Sequence, residues 1–447
     1  MSDLLERLFE PTNAKDFAKT MKEAQELYPA PADFLEAVAA YLPTRLYEQY
    51  YGDSVPQSFF GFIAAAQSRD LFSEEEQWRP FVQQAWSAAR ERQRTPWSLT
   101  DAEPQEEGEL GSRWQQFVEA AEAQDFSRAF GWARGFMNGL EGREHFREKS
   151  LSYALEDTAL GGSKFLYLVQ AWRLAEQLEW KHQEEILFAP LHFLVVAPEN
   201  RELSREVKDL WRENPLPSLL KNEGEVSSDL YEKTERALLF EPSVSGALAA
   251  IGRLARSGAS FAAVEDTLQL SASQALANSK RGSWLAPMRA FHFAKQVGYW
   301  KELVDPHRQT LALMMSAALL NQASRNSCEG ESNRELDDVA SHFLPTDPIN
   351  VLKSVISHSD PHASATAVQA ILGMGDEPRT ELLSTLANQA VKNDGDVCGG
   401  NDLLYLQEAF DSYQRSSLPL KDRHLVSAGF FLGRIPKRYE VFGAYGF

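Results

Sequence analysis

The sequence predicts an all-α protein made by stacking one recurring helical module. Three observations predict it: apolar residues spaced three and four apart with almost no sustained alternation, acidic residues followed by proline at helix starts, and sequence anchors that recur at an offset of 119 residues.

The spacing is clear in Trp114, Phe117, Val118 and Ala121, and again in Leu404, Ala409, Phe410 and Tyr413. Each set marks one face of a helix. The acidic-proline pairs are Glu241-Pro242, Asp347-Pro348 and Asp360-Pro361. A carboxylate there can cap free backbone N–H groups, and proline fits the first helical turn. Asp125-Phe-Ser-Arg-Ala129 reads as a first copy of the Glu241 and Asp360 segments, a few positions out of register.

The recurrence is read from two anchors. Lys164-Phe-Leu-Tyr-Leu-Val-Gln-Ala-Trp172 matches Asp402-Leu-Leu-Tyr-Leu-Gln-Glu-Ala-Phe410 after 238 positions, twice 119, with Ser283-Trp-Leu-Ala-Pro-Met-Arg-Ala-Phe291 midway. Upstream, Glu241-Pro-Ser-Val-Ser245 and Asp360-Pro-His-Ala-Ser364 are again 119 apart. Leu166, Leu285 and Leu404, with Ala171, Ala290 and Ala409, are therefore expected at equivalent buried positions. Small residues at Gly246, Ala247, Ala249, Ala250 and Gly252 predict close helix approach.

Three stretches rich in turn formers or acidic residues, 95–112, 214–228 and 324–333, serve as linkers. They divide the chain into an N-terminal helical piece at 1–95, with a weaker echo of the repeat at 59–66 and 78–89, and modules at 113–212, 229–323 and 334–435. A tail at 436–447 carries Tyr439, Phe442, Tyr445 and Phe447 among glycines, and is expected to dock on its own fold or on a partner.

A chain of 447 residues exceeds what one hydrophobic core serves. Forty-five basic against 64 acidic residues give a net charge of −19, which repels a phosphate backbone or an anionic membrane surface. Nucleic acid and membrane are therefore not expected partners; an apolar small molecule or a protein is. Cys328 and Cys398 show neither disulfide nor zinc spacing, and there is no leader or membrane-spanning pattern. A cytoplasmic protein is expected.

Few residues promise chemistry. In His358-Ser-Asp-Pro-His362, Asp360 reads as a helix cap rather than a metal ligand. Glu179-Trp-Lys-His182 has a di-iron spacing, but a second Glu-x-x-His is absent from the sequence. Asp338 and His342 read as a surface pair. Glu156-Asp157 and Glu265-Asp266 read as solvated carboxylates near helix ends, with acid–base work as the alternative. Gly161-Gly162 and Gly399-Gly400 read as plain starts of helices rather than phosphate loops.

The matched helix carries polar residues at equivalent points: Gln170, Arg289 and Glu408, then Arg173, His292 and Asp411. Solvent exposure is the favoured expectation for them. If the chain is an enzyme, His192, Arg289 and His292 are the candidate catalytic residues. No metal site is expected, and no pattern specifies a cofactor.

Leu160-Gly-Gly-Ser-Lys-Phe-Leu-Tyr-Leu-Val-Gln-Ala-Trp172, Val391-Lys-Asn-Asp394 and Asp360-Pro-His-Ala-Ser-Ala-Thr-Ala-Val368 together resemble the all-helical questin oxidase-like family over residues 110–435. They are also similar to the helical region that accompanies Rieske domains in some bacterial proteins. The first resemblance implies oxygen insertion into a polycyclic aromatic ketone. The family pattern places a histidine at the start of the matched helix, where this chain has Ser163 or Lys164, Ser283, and Asn401 or Asp402. The paired Cys and His of a Rieske centre are absent. Two functions follow as expectations: a helical-repeat protein that binds an apolar ligand or a protein partner between modules, or an oxidoreductase of the questin oxidase-like kind.

Overall fold

A computed structural model describes residues 2–43, 58–91, 102–213, 215, 223–280, 282–328, 347–394 and 401–446. All regular structure among the described residues is helical, with isolated bridges at Gly224 and Ala259 and at Ser279 and Cys328. The all-α prediction holds. None of the described helices is long and apolar enough to cross a membrane.

The chain forms two compact units. The first takes Met1–Glu199, Val391–Leu404 and Arg438–Phe447, and the second Asn200–Ala390 and Tyr405–Lys437. Unit 1 opens with α1 (Ser2–Phe9), α2 (Ala14–Leu27), α3 (Pro31–Tyr41), α4 (Ser58–Gln67) and α5 (Arg79–Glu91). It continues with α6 (Leu110–Glu122), α7 (Phe126–Met137), α8 (Leu140–Leu155), α9 (Ser163–Gln177) and α10 (Gln183–Val196). Unit 2 holds α11 (Glu202–Glu213), α12 (Ser228–Phe240), α13 (Val244–Arg256), α14 (Phe261–Asn278), α15 (Leu285–Trp300) and α16 (Pro306–Ser327). There follow α17 (Pro348–Ser357), α18 (Pro361–Leu372), α19 (Asp376–Lys392), α20 (Asn401–Arg415), α21 (Asp422–Arg434) and α22 (Glu440–Tyr445). Both α19 and α20 straddle the boundary between the units.

The units do not follow the predicted modules: Glu199 divides the first, and residues 391–404 leave the third for unit 1. The predicted module segments hold α6–α11, α12–α16 and α17–α21 respectively.

The capping residues set many helix starts. Asp125 accepts from Arg128 N–H, Asp347 from Asn350 N–H and Asp360 from Ala363 N–H, each at 3.0–3.1 Å. Glu241 departs from the expectation: it ends α12, and Ser243 caps α13 instead. Proline at 242 lies before α13 rather than in its first turn, so the chain needs a cap one residue further on. The linker predicted from residue 324 also starts too early, because α16 runs to Ser327.

Five of the six expected core positions are buried: Leu166, Leu404, Ala171, Ala290 and Ala409. Leu285 is only half-buried. It is the first residue of α15, whereas Leu166 and Leu404 are each the fourth of their helix. Pro287 two residues on suits a first turn, so the helix begins three positions late and leaves Leu285 at its open end.

In unit 1, Trp114, Phe117, Phe146 and Trp172 form a chain of ring contacts, with Phe117 on Phe146 at 5.1 Å between centroids. The C-terminal helix α22 packs on α2, with Tyr445 buried. Asp394 accepts from Glu440 N–H at 3.1 Å and Val441 N–H at 3.0 Å, capping α22. Phe447 lies outside the described residues, as do Asp338, His342, Cys398 and Gly399-Gly400.

Candidate functional site

Unit 2 contains a polar cluster inside its helical core. Asp266, Gln269 and Ser273 come from α14, His292 and Gln296 from α15, Tyr405, Glu408 and Ser412 from α20, and His424 and Ser427 from α21. Spacings of three and four residues hold each set on one face of its helix, and here those faces point inward.

Glu408 is the centre of the first group. His292 Nδ1 lies 2.5 Å from Glu408 Oε2, and the two side chains are 4% and 1% exposed. Gln296 donates to the other carboxylate oxygen, so the carboxylate is held at both ends. Because a carboxylate can only accept, Nδ1 is the nitrogen that carries the proton toward Glu408, and in the neutral form of the ring the lone pair is at Nε2. That nitrogen is buried and has no hydrogen-bond partner among the described residues.

A second pair repeats the arrangement with the ring reversed. His424 Nε2 lies 3.1 Å from Asp266 Oδ1, with the imidazole fully buried, and Ser416 donates to the other oxygen of Asp266. His424 Nδ1 is the buried nitrogen left over.

Aromatic rings separate the pairs. Phe291 lies 6.1 Å from His424 and 4.8 Å from Tyr405, and Tyr405 lies 6.1 Å from His292. The Tyr405 hydroxyl pairs with Ser427 at 2.6 Å and Ser273 at 3.3 Å. Burial pushes its pKa up to about 12, against the pull of the two serines, so it stays a neutral phenol.

At the margin of the cluster, Lys295 pairs with Asp411 at 2.6 Å. Burial raises the Glu265 carboxyl to about 7, although Lys295 and Lys301 pull the other way. Gly298 makes room for it: a Cβ there would collide with the Glu265 carboxylate.

Several expectations of exposure are corrected. Gln170, Arg289, Glu408 and His292 are all buried, because each faces a neighbouring helix; Arg173 and Asp411 are half-buried. Asp157 is buried against Lys164 at 2.7 Å, and Glu265 and Asp266 lie inside α14 rather than at a helix end. The cation at the start of the matched helix meets a carboxylate carried by the preceding loop.

Of the three candidate catalytic residues, Arg289 and His292 stand one turn apart on α15 in unit 2, and His192 stands on α10 in unit 1. His192 packs edge-on to Phe126 at 4.7 Å, and burial lowers its pKa to about 4. It is therefore neutral at pH 7.

His424 and Gln296 were not among the sequence candidates. Their signal is visible in retrospect: Gln296 falls one turn after His292, and His424 interrupts the apolar face of α21. His358 bonds back to Ser354 O, and His362 packs on Phe430, so that segment is a capped helix start. Among the described residues no group of three or more His, Cys, Asp or Glu side chains could hold a metal ion.

The fold and the cluster define an all-α protein with two carboxylate-held imidazoles buried beside aromatic rings. No family model, curated protein or solved structure matches the chain.

Proposed function

We propose that this chain binds a small, largely apolar aromatic ligand within unit 2, between α14 and α15 of the second module segment and α20 and α21 of the third. One observation carries the reading: His292 and His424 are each held by a carboxylate, and each keeps a buried ring nitrogen with no hydrogen-bond partner among the described residues, beside Phe291 and Tyr405. Aromatic walls with a few convergent polar groups are what a small-molecule site needs. A free thiol at Cys328 fits a protein of the reducing cytoplasm.

Isothermal titration of the full chain with naphthalene and anthraquinone tests the reading. One-to-one saturable binding is expected, lost in Ser273→Phe, which places a large ring against Tyr405. No binding, or binding unchanged in that folded variant, refutes the site.

A second reading is that the ligand is a substrate, oxygenated as the questin oxidase-like resemblance implies. It is favoured by the Glu408–His292 pair, since a carboxylate that orients an imidazole is the arrangement used for proton transfer. Oxygen uptake with a polycyclic aromatic ketone and a reductant, abolished by His292→Gln, is the outcome that supports it. A metal analysis and an absorption spectrum of the purified protein test the same reading.

A further inference from the structure

We infer that unit 1 carries a binding site of its own: a cleft between α5, α22 and the C-terminal end of α19 that takes a short-chain aliphatic carboxylate. It stands apart from the ligand proposed for unit 2, since every residue of the cleft belongs to unit 1. The cleft measures about 200 Å³ including its open mouth, and its inner end has room for about one water-sized group. Val82, Val391, Val441 and Phe442 form its apolar wall.

Three observations give the ligand its chemistry. The first is an unmatched donor. Trp86 lines the cleft and is 5% exposed, and its Nε1 has no hydrogen-bond partner among the described residues. An indole N–H can only donate, so its complement is an acceptor. Phe17 packs edge-on to the indole at 5.2 Å, so the ring does not turn its N–H out to solvent without losing that contact.

The second is that other polar groups of the cleft are matched within the fold. Gln83 Nε2 donates to Asn393 O at 2.9 Å and to Asp402 Oδ2 at 3.1 Å, while Gln83 Oε1 accepts from Gln84 at 2.8 Å. The Asp394 carboxylate accepts the N–H groups of Glu440 and Val441. The indole is the group left to be met.

The third is charge. In a chain of net charge −19, the side chains stacked on the two rings of the cleft are cations: Lys392 over Phe442 at 5.4 Å and Arg90 over Trp86 at 5.5 Å. They favour an anionic acceptor over a neutral one. A carboxylate oxygen fits the inner end and a short alkyl chain suits the valines. A phosphate would instead leave acceptor oxygens facing apolar side chains.

The test follows the tryptophan indole N–H signals of the full chain by NMR, with Trp86 assigned from Trp86→Phe, during titration with propionate, propionamide and phosphate. Propionate is expected to move the Trp86 signal saturably and to bind about tenfold more tightly than propionamide, because a hydrogen bond to a charged acceptor is the stronger. In folded Trp86→Phe, followed through the Val441 amide, propionate should bind about tenfold more weakly than in wild type. Lys392→Met should weaken propionate and leave propionamide about as before.

A Trp86 signal that propionate leaves unmoved means that water alone meets the indole, and overturns the inference. Equal affinity for propionate and propionamide overturns it, as does phosphate binding as tightly as propionate or undiminished binding to Trp86→Phe. Should Trp86→Phe fail to fold by circular dichroism, the wild-type series together with Lys392→Met decides the question.

Discussion

Replacing His192 by leucine should remove a specific, calculable part of the acid sensitivity of unit 1. The imidazole is 5% exposed, packed against Phe126, and its pKa is lowered to about 4 from an ordinary 6.5. Because the folded value is depressed, the unfolded chain binds a proton that the native state refuses between these two values. Stability therefore rises with pH through that window and is fully present above 6.5. At pH 5 the unfolded form is almost wholly protonated and the folded form barely so, which amounts to a loss of about 2 kcal/mol relative to pH 7.5. Denaturant titrations at both pH values, read by amide exchange of α10, should show that loss in wild type and not in His192→Leu. If the variant loses as much as wild type, the histidine is not titrating as its apolar surroundings require.

Glu265 works in the opposite sense. Its carboxyl is raised to about 7 from 4.5, so the stability it confers is present below 4.5 and is lost as pH rises through 7. Glu265→Gln, which imitates the protonated form, should equal wild type in denaturant titrations at pH 4 and exceed it at pH 8. Lys164→Ala should cost about 3–5 kcal/mol by stranding Asp157 in the core, and Asp157→Asn combined with Lys164→Met should recover most of it in thermal melts. Glu179→Gly should stabilise by about 1 kcal/mol. Glu179 follows the end of α9 at φ 53°, in the left-handed region where glycine is favoured, and a melting curve decides the sign. Asp394→Ala removes the cap of α22, at a cost of about 1 kcal/mol. Limited proteolysis should then cut the last ten residues, Arg438–Phe447, faster than in wild type.

Much of the fold was legible in the sequence because helical periodicity and caps are local. Asp347 and Asp360 cap the helices their prolines begin, and Ala171, Ala290 and Ala409 are buried as the 119-residue offset implies. What depends on where a helix starts was less legible. Leu285 aligns with two buried leucines, yet it sits on an open first turn because α15 starts three positions late.

The cluster in unit 2 shows a different limit. Glu408 and His292 occupy the polar face of the matched helices, and a polar residue at helical spacing reads as exposed unless its partner is known. Their pairing spans 116 residues, and that of His424 with Asp266 spans 158. Neither separation leaves a local trace. The same applies to Lys164, whose cost of burial is offset by Asp157 and Ala197 O, contacts that exist only once the loops are placed.

Under the proposed function, unit 2 receives an aromatic ligand beside His292. The most direct test follows the histidine ring nitrogens by nitrogen-15 NMR while 2-naphthol is added to the full chain. A saturable shift of His292 Nε2 is expected, with His145 and His192 of unit 1 unmoved. A His292 signal that stays unchanged at saturating naphthol, or a shift seen only in unit 1, would contradict it.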